Sequence, residues 1–279
     1  MSEPKCWFYQ AKVQDYSSFA GAFRPHLLWL DGAETILIFY VEQGIPKSTR
    51  FDTISLRFSS PKSIDFSALG IEIFDYAIQR VFLFQSRLLI VRHCTAGEKH
   101  PMMMSDSHIQ KLYPIKLTLD FDLCYNGLAF DGCDMFVFGG LSFATGQTQN
   151  ELYQISMCTL KVQKIKCETT TIPPPRLEPF LEIFGTEIYI TSGQERLSCT
   201  STASTLNDMW CFSLRKSQWI KVNIPSIDLS GIKSVCADKE KMVLLSKHPQ
   251  ASCQILKIPS LQVVKIFQSS NSRIPLGVG

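Results

Sequence analysis

Asp134-Met-Phe-Val-Phe-Gly-Gly140, with Asn150-Glu-Leu-Tyr153 behind it, is the stretch that decides the architecture. About fifty residues later the pattern returns as Glu187-Ile-Tyr-Ile-Thr-Ser-Gly193, then Leu206-Asn-Asp-Met-Trp210 and Trp219. A repeat of that length, built of short apolar strands with glycine after the second, predicts four-stranded blades around an axis. Such an architecture hosts many functions, so function has to be argued from residues and not from the fold.

The clearest repeats are 125–168 and 179–224, inside a single domain spanning 1–279. In the first of them, Asn126 to Phe130 reads as an inner strand and Asp131-Gly132 as a hairpin turn. Met135 to Phe138, Glu151 to Met157 and Val162 to Ile165 supply the second, third and fourth strands. The next repeat runs from Phe180 to Val222. Trp210 and Trp219 are spaced to pack across a hairpin between neighbouring blades, and Tyr153 and Val162 share that spacing. Weaker units begin near Leu27, Val81 and Ser234, with second strands ending at Tyr40, Ile90 and Leu245. In the first of these, Phe51 to Phe58 is expected as the outer strand. The fold class expected is all-β, a β-propeller of about five to seven blades, with the ring open to being incomplete.

Gly139-Gly140, Ser192-Gly193, Tyr153, Trp210, Trp219 and the arginine after Pro173-Pro-Pro resemble the kelch-repeat family. The resemblance is strongest from Tyr125 to Val222 and degenerate elsewhere, where no double glycine follows the second strand. It implies a protein-interaction module, a scaffold or regulatory adaptor that binds a protein partner without chemistry. Alternatives are the substrate-recognition subunit of a ubiquitin ligase, and a propeller of another family that binds nucleic acid or a small molecule or acts as an enzyme.

Composition narrows these classes. Hydrophobic residues make up 45% of the chain, which argues against disorder. The net charge of +3 implies no strong field toward nucleic acid or membrane. The start, Met1-Ser-Glu-Pro-Lys-Cys6, lacks a signal-peptide pattern, and the apolar runs are too short to span a bilayer as helices. The 10 cysteines are scattered without a CxxC pair, so reduced, mostly buried thiols in the cytoplasm, with the nucleus as a second compartment, are expected. No G-x-S-x-G, P-loop or H-E-x-x-H motif is present, so no enzyme and no cofactor are expected. His93, Cys94, His100 and His108 match no zinc spacing. Lys161 to Lys166 and Arg215 to Lys221 read as basic edge strands and not as a nucleic-acid surface.

In four-stranded blades the links and the loops between second and third strands fall on one face. Gln43 to Arg50, His93 to His108, Leu141 to Gln149 and Gln194 to Thr205 are expected there as long loops. Loops on a rigid scaffold carry binding residues. Met102, Met103 and Met104 are read as an adaptable contact in a polar loop. Arg196 lies beside a Ser/Thr-rich stretch that phosphorylation would charge. Arg24, Arg176 and Arg273 recur at links, where they either bind carboxylates around the central opening or hold neighbouring blades together. The partner-binding residues expected are therefore Met102, Met103, Met104, Arg196, Arg24 and Arg176.

Overall fold

Asp131 starts a tight turn because its Oδ1 accepts from the amides of Cys133 at 2.8 Å and Asp134 at 2.7 Å. The apolar runs on either side then pair, Leu128 opposite Val137 and Phe130 opposite Met135. The same local logic generates every blade in the computed structural model. It describes residues 26–29, 35–52, 54–55, 57–69, 78–195, 204–224, 229, 232–237, 241–246, 252–258 and 260–268.

Among the described residues, five small antiparallel sheets form the five blades of a β-propeller. Blade 1 holds β1 (His26–Trp29), β2 (Thr35–Glu42), β3 (Ile45–Asp52) and β4 (Arg57–Phe58), and β5 (Lys62–Ser63) also pairs with β3. Blade 2 holds β6 (Ile78–Phe84), β7 (Arg87–Arg92), β8 (Met102–Ser105) and β9 (Leu112–Pro114). Blade 3 runs β10 (Gly127–Phe130) and β11 (Asp134–Phe138), then a small hairpin of β12 (Leu141–Ser142) and β13 (Gln147–Thr148), then β14 (Leu152–Ser156) and β15 (Val162–Lys164). Blade 4 repeats this with β16 (Phe180–Phe184), β17 (Glu187–Thr191), the hairpin β18 (Gln194–Glu195) and β19 (Ser204–Thr205), β20 (Met209–Ser213) and β21 (Gln218–Val222). Blade 5 holds β22 (Ile232–Ala237), β23 (Lys241–Ser246), β24 (Ser252–Lys257) and β25 (Gln262–Gln268). Among the described residues the one helical element is a short 3-10 turn at Ser67–Leu69.

The core sits between blades. Successive side chains of a strand point to opposite faces of its sheet. On β11, Met135 and Val137 join Leu89, Val91 and Met102 of blade 2. Phe136 and Phe138 join Leu181, Ile188, Ile190, Trp210 and Trp219 of blade 4. Both faces are therefore dry, which is why the middle strands read as continuous apolar runs instead of alternating ones. A similar cluster joins blade 1 to blade 2 through Phe39 and Ile90, and another joins blade 4 to blade 5 through Tyr189 and Leu244. Trp219 packs on Phe138 with ring centroids 5.5 Å apart, so an outer-strand aromatic of blade 4 seals the junction with blade 3.

Two expectations need correction. Met102 and Met103 do not lie in a polar loop. They sit in the third strand of blade 2, opposite Val91 and Ile90, and both are fully buried, with Met104 half-buried beside them. Their neighbours are the apolar strands of blades 1 and 3, which a reading of His100, Ser105 and Asp106 around them does not reveal. Gln43 to Arg50 is not a long loop either. It holds a two-residue turn at Gln43-Gly44, and the chain returns at once as β3, so Phe51 belongs to the third strand and only Arg57–Phe58 forms the fourth.

The double glycine is explained by its surroundings. Gly139 and Gly140 have φ of 71° and 95°, and a Cβ on Gly139 would lie 2.6 Å from the Arg176 carbonyl oxygen. A Cβ on Gly140 would lie 2.6 Å from the Cys124 carbonyl oxygen and would strike the Asn126 side chain. Gly146 has a comparable φ of 66° but open space around it.

Two stability outcomes follow. Met103→Ser should lower the unfolding free energy by about 3 kcal/mol, because it empties a buried site and leaves a hydroxyl there; equilibrium denaturation checks it. Gly140→Ala should cost clearly more than Gly146→Ala, which carries backbone strain alone of about 1 kcal/mol. Equal losses would show that the close approach at Gly140 does not matter.

Candidate partner-binding face

The links between blades converge on one face, and the loops between second and third strands meet them there. Leu123, in the link into blade 3, pairs in both directions with Cys94 of blade 2, at 2.8 and 3.1 Å. The next residue, Cys124, accepts from the Leu141 amide of blade 3 at 2.9 Å. The link into blade 4 repeats the scheme: the Arg176 carbonyl accepts from Gly140 at 2.9 Å, and Leu177 pairs with Gln194 at 2.8 and 2.9 Å. The two links are then joined to each other by Glu178 N–H donating to the Tyr125 carbonyl at 2.7 Å. Tyr125 and Glu178 occupy matching places and both have positive φ, 58° and 49°. A non-glycine backbone in that region persists only where its surroundings over-determine it, and such residues concentrate at functional sites.

Asp122 anchors the loops above this framework. Its Oδ1 accepts from the Ala96 amide at 2.8 Å and its Oδ2 from the Phe143 amide at 2.7 Å. One carboxylate thus holds the blade 2 loop and the β12–β13 hairpin to the same link. The result is a display of aromatic rings. Phe143 is 53% exposed and Tyr125 41% exposed. His93 packs against Tyr125, with ring centroids 5.0 Å apart and the Tyr125 amide donating to Nδ1 at 3.4 Å. Exposed aromatics on a pre-organised framework are the side chains that most often anchor a protein partner.

Nearby, Phe121 stacks on Tyr153 with ring centroids 3.9 Å apart, and an open cleft of about 420 Å³ lies between Thr118 and Asp120 of the link and Tyr153, Gln163 and Lys164 of blade 3. The Tyr153 hydroxyl donates to Glu151 at 2.5 Å, and Lys164 pairs with the other oxygen of the same carboxylate. Burial and that bond to Glu151 push the Tyr153 phenol well above its ordinary range. Blade 4 has the matching group: Trp210 Nε1 donates to Asp208 at 2.8 Å, and Lys221 lies 5.8 Å from the Trp210 ring centre.

Arg176 is the expected site residue that the structure explains most fully, and it is not on the surface. The side chain is completely buried. Its guanidinium donates to both oxygens of Asp208, at 2.7 and 2.9 Å, and to the Ser192 and Pro174 carbonyls at 2.9 and 3.1 Å. The carboxylate it binds belongs to the chain itself, so a role for Arg176 in contacting a partner around the opening is corrected to that of a clamp. Burial raises the Asp208 carboxyl, but the Arg176 and Trp210 bonds outweigh it and hold the group below the usual carboxylate range. Nearer the axis, Arg80 of β6 donates to the Leu128 carbonyl at 2.9 Å and pairs with Glu182 of β16 at 3.4 Å. Burial, only partly offset by Arg80, raises the Glu182 carboxyl.

Arg24, Arg196 and Arg273 lie outside the described residues. Met102 and Met103 are core, so the methionine stretch does not join this face. Cys94 and Cys124 are buried, and burial pushes their thiols up to about 11 and about 12. Among the described residues no group of three His, Cys, Asp or Glu side chains is placed to hold a metal ion. Tyr125, Phe143 and Asp122 were not singled out from the sequence; the signal was an aromatic at each of two places flanking the Gly139-Gly140 turn. Among the described residues no helix is long and apolar enough to cross a membrane.

Comparison with protein-family models gives no match. Comparison with curated proteins gives none either.

Removing Arg176 strands Asp208 in a largely buried place. Arg176→Ala should destabilise by about 3–5 kcal/mol. The pH dependence has a defined sign. Asp208 has a depressed folded pKa, so its contribution is present above the unfolded value near 3.9 and is lost as pH falls through the lower folded one. Acid denaturation of the parent chain should therefore show a steeper loss of stability below about pH 4 than that of Asp208→Asn.

Proposed function

We propose that this chain is a kelch-like protein-interaction module that binds a protein partner on the face where links and second-to-third-strand loops meet. The observation that carries the reading is the pair of exposed rings, Phe143 and Tyr125, held by Asp122 and His93 on a hydrogen-bonded framework of links. Large apolar rings cost free energy to expose, and a partner that covers them recovers about 1.5–3 kcal/mol for each. Because the links are already bonded to both neighbouring blades, little backbone order has to be acquired on binding, which favours affinity.

The kelch-like reading is supported by the setting of Gly139-Gly140, which only residues without a side chain fit, and by the aromatic seal of Trp219 on Phe138. The role is that of a scaffold or adaptor acting without chemistry, in the cytoplasm or nucleus. A receptor subunit of a ubiquitin ligase would use the same face, and the partner's identity separates the two. Nucleic acid is the weaker reading: the basic segments of β15 and β21 lie on outermost strands, where lysine keeps sheets from pairing edge to edge.

The test is affinity purification of the full chain beside two variants. Tyr125→Ser/Phe143→Ser should abolish stoichiometric co-purification of a partner with the melting temperature nearly unchanged. Ile220→Ser, on an outer strand, should retain it. A partner that stays bound to the double variant would remove this face from the site, and binding that falls steeply with salt and needs RNA or DNA would replace the protein reading.

A further inference from the structure

The face opposite the links carries a second feature, in the turns of blade 3. Chain direction places the β10–β11 and β14–β15 turns together there. Cys133 ends the first turn and Cys158 lies in the second. Both turns are rigidly built. Asp131 accepts from the Cys133 and Asp134 amides, and the second turn closes through Leu160 N–H to the Ser156 carbonyl at 2.7 Å and Ser156 N–H to Lys161 at 2.9 Å. The turns are bonded to each other by Met157 N–H donating to the Cys133 carbonyl at 2.9 Å.

Register fixes the rest. Asp134 is opposite Ser156, so Cys133 faces Met157 and Cys158 is the next residue along. Both cysteines lie in turns beyond the strand ends, and the Met157–Cys133 bond holds those turns side by side; one residue off a pair of about 5.5 Å leaves the Cα atoms roughly 6–7 Å apart, near the upper end of the span that a disulfide bridges. The two thiols are near enough to influence each other electrostatically. Both are reduced and exposed, whereas Cys94, Cys124, Cys167 and Cys211 are buried or half-buried. A buried thiol is screened from reagents, so exposure selects this pair.

We infer that Cys133 and Cys158 form a reversible dithiol–disulfide site, oxidised by a low-molecular-weight disulfide of the glutathione class. One thiolate attacks a sulfur of the small disulfide, breaking its S–S bond and expelling one small thiolate. The second protein thiolate then attacks the protein sulfur of the mixed disulfide, forming the Cys133–Cys158 bond and expelling the other. The two cysteines lose two electrons and two protons, and the small disulfide becomes two small thiols. Local loss of water contact, Cys158 and the carboxylates of Asp131 and Asp134 raise the Cys133 thiol, so exchange speeds up as pH rises. The bridge joins the turn closing the first hairpin of blade 3 to the turn closing its last, on the face away from Tyr125 and Phe143.

The experiment titrates the folded full chain with mixtures of oxidised and reduced glutathione, quenches by acid, and maps the cysteines by mass spectrometry. The expected result is an intramolecular Cys133–Cys158 bond in the parent chain, reversed by excess reduced glutathione, with a higher melting temperature when oxidised. Cys133→Ser and Cys158→Ser should each instead carry one stable glutathione adduct on the remaining thiol. Both cysteines of the parent chain carrying adducts without bridging would overturn the inference. So would a folded parent chain that stays unmodified while the single variants accept an adduct, or a bridge that maps to other cysteines.

Discussion

A sheet whose two faces are both apolar cannot stand alone in water, and every blade here has such middle strands. On β11 the alternation of Met135 and Val137 with Phe136 and Phe138 commits one set to blade 2 and the other to blade 4. Each blade therefore completes its neighbours, and stability is shared along the array in nearest-neighbour steps. Much of the remaining design follows from that demand. The links have to cross from an outer strand back to the next inner strand without burying unpaired backbone, and the apolar junctions have to be sealed at the outside by large rings such as Trp219.

The links meet the first requirement through backbone pairing. Leu123 with Cys94 and Leu177 with Gln194 show one solution used twice, each link stitched to the strand ends beside it. Glycine at 139 and 140 admits the Arg176 carbonyl to within a distance that no side chain tolerates. The buried Arg176 then fixes the link from its side-chain end, by pairing with Asp208 and two carbonyls. An ion pair so far from water gains little in net stability over an apolar replacement, and its effect is to select one geometry for the link. Blade 3 has Glu151 where blade 4 has Asp208, and Leu123 where blade 4 has Arg176; there the carboxylate is neutralised from the outer strand by Lys164.

That rigidity is what makes the link face a good display. Tyr125 is held in a strained backbone conformation between two links, and Phe143 is carried on a hairpin tied down by Asp122. The opposite face is built from short turns, and in blade 3 these bring two exposed thiols together. The two faces thus differ in kind: one presents apolar rings on a pre-formed base, the other presents exposed thiols at turn tips.

Strand runs, turn signals and the spacing of the repeat are local properties, so they were legible in the chain. Asp131-Gly132, Met135 to Phe138 and the Trp210–Trp219 spacing led to blades, and the five units found from Leu27 to Ile266 correspond to the five sheets. The methionines at 102–104 were misread because polar neighbours surround them in sequence, while their burial comes from strands of blades 1 and 3. The Gln43 to Arg50 segment was misread because a two-residue turn needs no long polar stretch to announce it. Arg176 and Asp208 stand 32 residues apart, and the Cys133–Cys158 juxtaposition arises only when β11 and β14 pair in one register. By itself the sequence determined the all-β class, the repeat and the side on which loops and links gather. Only the tertiary structure decided which side chains are covered and which meet, because burial and pairing depend on neighbouring blades that lie tens of residues away along the chain.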